Sequence, residues 1–484
     1  INASTIGSGN GGNITIRAEE SVEVIGSGFN ALQQQIIAPA FEGTLTPNSF
    51  NQGIVTITAG QGAAGNVLIE TPNFTAREGG LVATTTLAPP TIQAPGKGGD
   101  ITINASDTLV LDNALLGTGT FNAADAGNVY LTAHQLTARG GAQALTTTFG
   151  SGKAGDLTVN VSDSIDLIDP NNSGRLLSTG LFASSAQTAS GKGGDININI
   201  PNGELNIRNG ATVSVSAQGT GNAGNINIDA RSIFLDKGSI TATSTSGEGG
   251  NINLWVADNL LLRNNSQIST RAGTQPSDRG NGGSMNINAQ FIVAVPTENS
   301  DITANAFAGN GGNINITAQG IFGLQVSEQL TPNSDITASS QLGIDGTVEL
   351  NTPDVDPSRG LTALPSNLSN PSDQIVAGCP ADRGNKFAVT GRGGIPDNPS
   401  QYLREGAVWL DTRDLSGANR PTPPIANNPY PTPHNQSLIE AQGWIVDEHG
   451  TVTLTAEPNT GRQSNSWVSS QSCEDISNKQ LTGK

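Results

Sequence analysis

The sequence predicts an all-β fold: a parallel β-helix of about eleven coils with three short strands per coil, followed by a small β-rich C-terminal module. Three observations predict it. A phrase of Gly, a small residue or two, Gly, Asn or Asp, then aliphatics alternating with polar residues occurs eleven times. The second glycines of successive copies stand 26 (Gly224 to Gly250) to 39 (Gly155 to Gly194) residues apart, with one interval of 53 (Gly12 to Gly65). A period in this range marks stacked units. Helical periodicity is absent, and 61 glycines leave little room for long helices.

Each predicted coil begins at the phrase, as in Gly11-Gly12-Asn13-Ile14-Thr15-Ile16 and Gly98-Gly99-Asp100-Ile101-Thr102-Ile103, down to the degraded Asp345-Gly346-Thr347-Val348-Glu349-Leu350. About ten residues later comes a second alternating pair, such as Leu109/Leu111, Leu205/Ile207, Ile233/Leu235, Leu260/Leu262 and Phe322/Leu324. A third short strand follows, as in Ile240-Thr241-Ala242, Ile268-Ser269-Thr270, Ile302-Thr303-Ala304 and Ile336-Thr337-Ala338. Period-two alternation between Gly/Asn/Asp turns reads as strand in all three.

Stacking such coils at about 4.8 Å sets each strand beside its copy in the next coil. Ile14, Ile101, Ile196, Ile226 and Ile252 then form an inward ladder, and Thr15, Thr102, Asn197, Asn227 and Asn253 an outward one. Gly12, Gly99, Gly155, Gly194, Gly224, Gly250 and Gly312 fall at the corner before the strand, where left-handed backbone angles or close coil approach exclude a side chain. Asn13, Asp100, Asp156, Asp195, Asn225, Asn251 and Asn313 follow them; both residue types tolerate left-handed angles and bond local backbone in turns. All fourteen read as structural turn residues.

The repeats set the domain organisation: a shaft over 1–352, a Pro/Ser/Asn-rich linker over 353–378, and a module over 379–484 with a Pro-rich stretch at 421–433. The module holds three of the four tryptophans, Trp409, Trp444 and Trp467. Its segments Glu440–Val446 and Thr451–Leu454, joined by Asp447-Glu448-His449-Gly450, read as a β-hairpin. It is a cap, because an open last coil exposes a sheet edge and core, or else an anchoring element. Cys379 and Cys473 both lie there, and read as a disulfide closing the module or as two unpaired thiols.

Composition narrows the function. A net charge of −18 argues against nucleic acid and anionic membrane as direct partners. Only 13% of residues are charged, so solvation rests on Asn, Thr, Ser and Gln, as in secreted β-rich surface proteins. Aromatics at 4% disfavour a sugar site lined with aromatic platforms. No apolar run approaches the length of a transmembrane helix, and no signal peptide is present. The chain opens on Ile1-Asn2-Ala3-Ser4-Thr5, inside a strand-like phrase, and reads as a fragment lacking its N-terminal part.

The Gly-Gly-Asn-Ile-Thr-Ile repeats resemble the shaft of cyanobacterial filamentous-haemagglutinin-like exoproteins, often labelled S-layer family proteins. The tail from Cys379, with Phe387 to Pro396, Trp409 to Arg413 and Glu440 to Val446, is similar to the C-terminal end of the same group. The resemblance covers essentially the whole chain. It implies a right-handed parallel β-helix, exported by two-partner secretion through an outer-membrane pore and acting in adhesion. It also implies a place outside the cell or on its outer surface, reached through the periplasm, with host-cell, glycan or matrix ligands. The family's N-terminal secretion domain is missing from this sequence.

The rival reading is a carbohydrate-active β-helix enzyme, and a third is a passive surface-matrix component. An enzyme needs carboxylates, or Lys/Arg with calcium, converging on one face of neighbouring coils. Asp156 and Asp195 could stack, yet they hold the corner that Asn fills elsewhere, and Asn is neither acid nor base. Three scattered histidines, His134, His434 and His449, form no triad or zinc site. Asp169-Pro170-Asn171-Asn172-Ser173-Gly174 lacks the Glu and flanking helices of a calcium loop. Gly391-Arg392-Gly393-Gly394 lacks the Lys-Ser/Thr of a phosphate loop. No catalytic, cofactor-binding or metal-binding residue is assigned, and the expectation is a protein that is not an enzyme.

Overall fold

The computed structural model of the chain describes residues 1–87, 92, 95–169 and 178–353 and, by backbone, the strands Gly443–Val446 and Val452–Thr455. Among the described residues the shaft is almost wholly β and parallel. One sheet of 12 strands and another of 11 run side by side through it. The first sheet holds eleven rungs, from Ile14–Arg17 through Val67–Arg77, Ile101–Asp112 and so on to Val348–Asn351, one per copy of the phrase, with Ser21–Ile25 extending the first. The second sheet stacks the shorter strands, from Ile54–Thr58 through Leu81–Thr86 and Leu115–Thr120 to Asp335–Thr337.

Register is residue on residue. Ile14 pairs with Val67, Val67 with Ile101, Ile196 with Ile226 and Ile226 with Ile252. These side chains are buried in one continuous apolar cluster that also takes in Leu109, Leu205, Leu235 and Ile240. A one-residue slip would turn every aliphatic outward, so alternation and register enforce each other. Outside, Asn227 Nδ2 donates to Asn197 Oδ1 at 2.9 Å, Asn253 to Asn227 at 2.9 Å, and Asn286 to Asn253 at 2.9 Å. The carboxamides thus form the stacked ladder that in-register parallel strands permit.

Three details differ from the sequence reading. The first two predicted strands of a coil run on as one: Ile101–Asp112 spans 12 residues, with its register shifted between Asn104 and Thr108 where the strand turns the corner. Phe322 faces outward, 55% exposed, because it pairs with Val293; Ile321, opposite the buried Ile292, and Leu324 pack against the core. Helix is also present. The 53-residue interval holds Phe29–Leu32, Gln33–Ile37 and Ala38–Glu42 in succession, stopped by left-handed Gly43. Leu32, Ile36 and Ile37 of this insert pack with Phe50 on the outer side of the second sheet, against Val55, Ile57, Leu81 and Ala83.

The chain divides into two compact units, Ile1–Gly360 and Leu361–Lys484. In the second, Gly443–Val446 pairs antiparallel with Val452–Thr455, the hairpin read from the sequence.

Candidate functional site

The motif residues build one edge of the shaft. A Cβ added at Gly99 would land on the carbonyl oxygen of Gly65, at Gly155 on that of Gly127, and at Gly194 on that of Gly155. The same holds for Gly224 over Gly194, Gly250 over Gly224 and Gly312 over Gly283. None of these glycines has a positive φ, so close approach of coils excludes the side chain. Gly12 differs: in the first rung its Cβ would meet only Ala3 Cβ, at 3.6 Å.

A second glycine column went unread. Three positions ahead of the motif glycine, Gly96, Gly152, Gly191, Gly221, Gly247 and Gly280 make the same approach to the preceding coil. The signal was present as Gly-x-x-Gly, in Gly221-Asn222-Ala223-Gly224 and Gly247-Glu248-Gly249-Gly250.

The Asn/Asp column acts between coils rather than within its own turn. Asn66 N–H donates to Asn13 Oδ1 at 2.9 Å, Asp100 to Asn66 at 2.8 Å, and Asn128 to Asp100 at 2.7 Å. It continues from Asp156 to Asn128 at 2.9 Å, Asp195 to Asp156 at 2.9 Å, Asn225 to Asp195 at 2.8 Å and Asn251 to Asn225 at 3.1 Å. Ser284 donates to Asn251 at 2.9 Å, and Thr347 to Asn313 at 3.3 Å. What the position requires is a side-chain oxygen that accepts, which Asn and Asp both supply. Positive φ belongs to the opposite corner, at Glu78, Asn113, Asn209, Lys237, Asn264 and Asn299.

Carboxylates in this column are therefore engaged. Asp156 and Asp195 occupy adjacent rungs, and each accepts the N–H of the coil above. Lys153 Nζ lies 2.9 Å from Asp156 Oδ1, and Lys192 Nζ 3.9 Å from Asp195 Oδ1. Burial works against the charge on Lys153, but its bond to Asp156 and the fields of Asp156, Asp195 and Asp125 outweigh it and raise its pKa above the usual lysine value. His134 Nδ1 lies 2.8 Å from Ser162 Oγ on the next rung.

A pair of carboxylates that sequence reasoning missed is buried in the second sheet. Asp301 and Asp335 open the repeated Asp-Ile-Thr strands, and Asp335 N–H donates to Asp301 Oδ1 at 2.9 Å. Burial lifts the pKa of Asp301, the Asp335 N–H opposes that, and the Asp335 charge adds to it. Thr331 N–H and Oγ1 donate to Asp335 Oδ2, and Ser327 Oγ to its Oδ1. Among the described residues no group of three or more His, Cys, Asp or Glu is placed to hold a metal ion. No described helix is long and apolar enough to cross a membrane.

A concavity lies under the helical insert. A half-open cleft of about 500 Å³ runs from Ile36, Ala40 and Phe41 of the insert across the outer face of the second sheet as far as Thr243. Phe121 and Phe149 stack on one wall with centroids 4.4 Å apart and planes 5° from parallel. Phe41 meets Phe149 edge-on at 6.0 Å and 77°. Later rungs line the cleft with Ser184, Ser214, Ser216 and Gln218.

Cys379, Cys473, residues 391–394 and residues 170–174 of the calcium-loop candidate lie outside the described residues. Asp169 is described, and its Oδ2 accepts Thr179 N–H at 3.2 Å. Compared with known proteins, the chain matches no family model, no curated protein and no solved structure.

Proposed function

We propose that this chain is the shaft and C-terminal module of a secreted or surface-displayed exoprotein of the filamentous-haemagglutinin-like type, structural and adhesive rather than catalytic. The observation that carries the reading is the stack of eleven parallel rungs, whose outward face carries a run of bonded Asn side chains from Asn197 through Asn227 and Asn253 to Asn286. Equivalent weak contacts at each rung raise avidity without a single deep pocket, because every further contact is intramolecular once the first has formed. Glycan, cell-surface or matrix polymers, themselves repetitive, are the ligands such a face suits. Export would use an outer-membrane pore as partner, with the chain reaching the cell exterior through the periplasm.

The corner carboxylates support a structural role, since Asp156 and Asp195 are held by backbone donors of the next coil. The test is retention of the purified chain on neutral and acidic polysaccharides and on whole cells. The triple variant Asn197→Ala, Asn227→Ala, Asn253→Ala would be compared with wild type. Saturable retention that drops several-fold in the variant is expected. No retention on any surface would leave the passive matrix role. Depolymerisation of an acidic polysaccharide, abolished by Asp156→Asn or Asp195→Asn, would install the enzyme reading instead.

A further inference from the structure

The cleft beneath the helical insert combines features that the packing of the shaft does not require. Among the described residues its wall carries no Asp, Glu, Lys, Arg or His, although the chain bears a net charge of −18. Its apolar end leaves Leu115, Leu145, Phe121 and Phe182 half-buried and Phe41 60% exposed. Water-exposed apolar area costs about 25 cal/mol per Å² relative to burial. The other end presents serine and threonine hydroxyls on successive rungs.

The floor is the most telling part. Gly117 and Gly119 both point to the cleft from the strand Leu115–Thr120. Gly117 is required by packing, because a Cβ there would strike the Leu145 carbonyl. Gly119 is not. Its Cβ would meet Thr85 Oγ1 at 3.5 Å and Thr147 O at 3.8 Å, ordinary contacts, and its φ lies outside the left-handed region. A strand-interior glycine weakens the strand unless something approaches the backbone closely. Here the space it leaves is the cleft itself.

We propose that this cleft binds an uncharged amphiphile, with its hydrocarbon or aromatic part beneath the insert and its hydroxylated head against the serine and threonine rungs. The volume is that of a small-molecule site. A charged head would lose hydration and find no counter-charge among the described lining residues. A purely apolar ligand would leave the hydroxyl end unused, and a free sugar would leave the phenylalanine end uncovered. The inference is independent of the adhesive role: it concerns one site on one face, and either can fail alone.

The experiment is calorimetric titration of the full chain with decyl maltoside below its micelle-forming concentration. Maltose, decyl sulfate and decyltrimethylammonium serve as comparators. Saturable one-to-one binding of decyl maltoside is expected, with each comparator at least about tenfold weaker. Gly119→Leu fills the floor without a Cβ clash against the backbone and should weaken binding about tenfold while leaving the thermal unfolding midpoint unchanged. Phe149→Ala should weaken it as well. Several results would overturn the proposal: no saturable binding, equal binding of a charged decyl head or of maltose, or binding indifferent to Gly119→Leu. So would a wild-type dimer that Gly119→Leu dissociates, since the cleft would then be a contact between copies.

Discussion

At the residue scale, Gly and Asn/Asp answer two demands of one corner. The glycine lets the coil above descend until its backbone touches the carbonyl of the coil below, as Gly250 does on Gly224. At that spacing the following N–H reaches the side-chain oxygen of the previous Asn or Asp, as Asn251 reaches Asn225 at 3.1 Å. Asn251 Nδ2 bonds the same oxygen at 3.0 Å. Three substitutions separate the demands. Gly250→Ala forces backbone apart and is expected to cost about 1–3 kcal/mol or more. Asn225→Ala removes an acceptor and should cost about 1 kcal/mol. Asn225→Asp keeps the acceptor and should cost least. Urea unfolding of the three gives the order, and Asn225→Asp falling level with Asn225→Ala would refute the acceptor account.

At the scale of elements, the helical insert behaves as an addition to the second sheet. Leu32 is fully buried beneath it, in a cluster separate from the main core. Leu32→Ala removes about 2–5 kcal/mol from a buried apolar site. Because the cluster is local, that loss should appear as faster amide exchange and proteolysis across 29–50, with protection of the strands from Val129–Arg139 onward unchanged. Loss of protection along the entire shaft would show that the insert is part of the common core. The statement that helical periodicity is absent fails here: Phe29, Leu32, Ile36, Ile37 and Phe41 recur at helical spacing inside the one anomalous interval. The period of the glycine phrase, by contrast, revealed stacking and register but not how a coil closes. Whether two alternating segments fuse around a bend depends on the register shift at Asn104–Thr108, which local alternation does not encode. The outward setting of Phe322 is likewise fixed by the neighbouring rung, where it pairs with Val293, while Leu324 of the same alternating pair packs against the core. The Asp301–Asp335 pair arises the same way, from two distant copies of one short strand brought into register.

At the scale of the whole molecule, several ion pairs among the described residues join neighbouring rungs, which is how a solenoid couples its units. Arg17 pairs with Glu70, Arg77 with Glu23, Arg139 with Asp112 and Arg231 with Glu204, each across one step of the stack. Arg263 holds Glu298 with two bonds of 2.8 Å, and Asn264 N–H adds a third at 2.8 Å. The bond from Arg263, then the one from Asn264, holds the Glu298 carboxyl down at about 2 against an ordinary 4.5. A lowered carboxylate pKa means that the unfolded chain takes up the proton first. The stability it contributes is therefore complete above pH 4.5 and disappears as the pH falls from 4.5 towards 2. Asp301 has the opposite sign. Its pKa is raised by burial, so the folded chain binds the proton more readily, and its charged form opposes folding at neutral pH. Thermal midpoints measured at pH 7, 4.5 and 3 should separate the two. Glu298→Gln should lower the midpoint at pH 7 and flatten its decline below pH 4.5. Asp301→Asn, which retains the oxygen that accepts Asp335 N–H, should raise the midpoint at pH 7 and change it least at pH 3. If Glu298→Gln displaced all three midpoints by the same amount, protonation of Glu298 would not be what weakens this shaft in acid. Loss of other cross-rung contacts would then have to account for it.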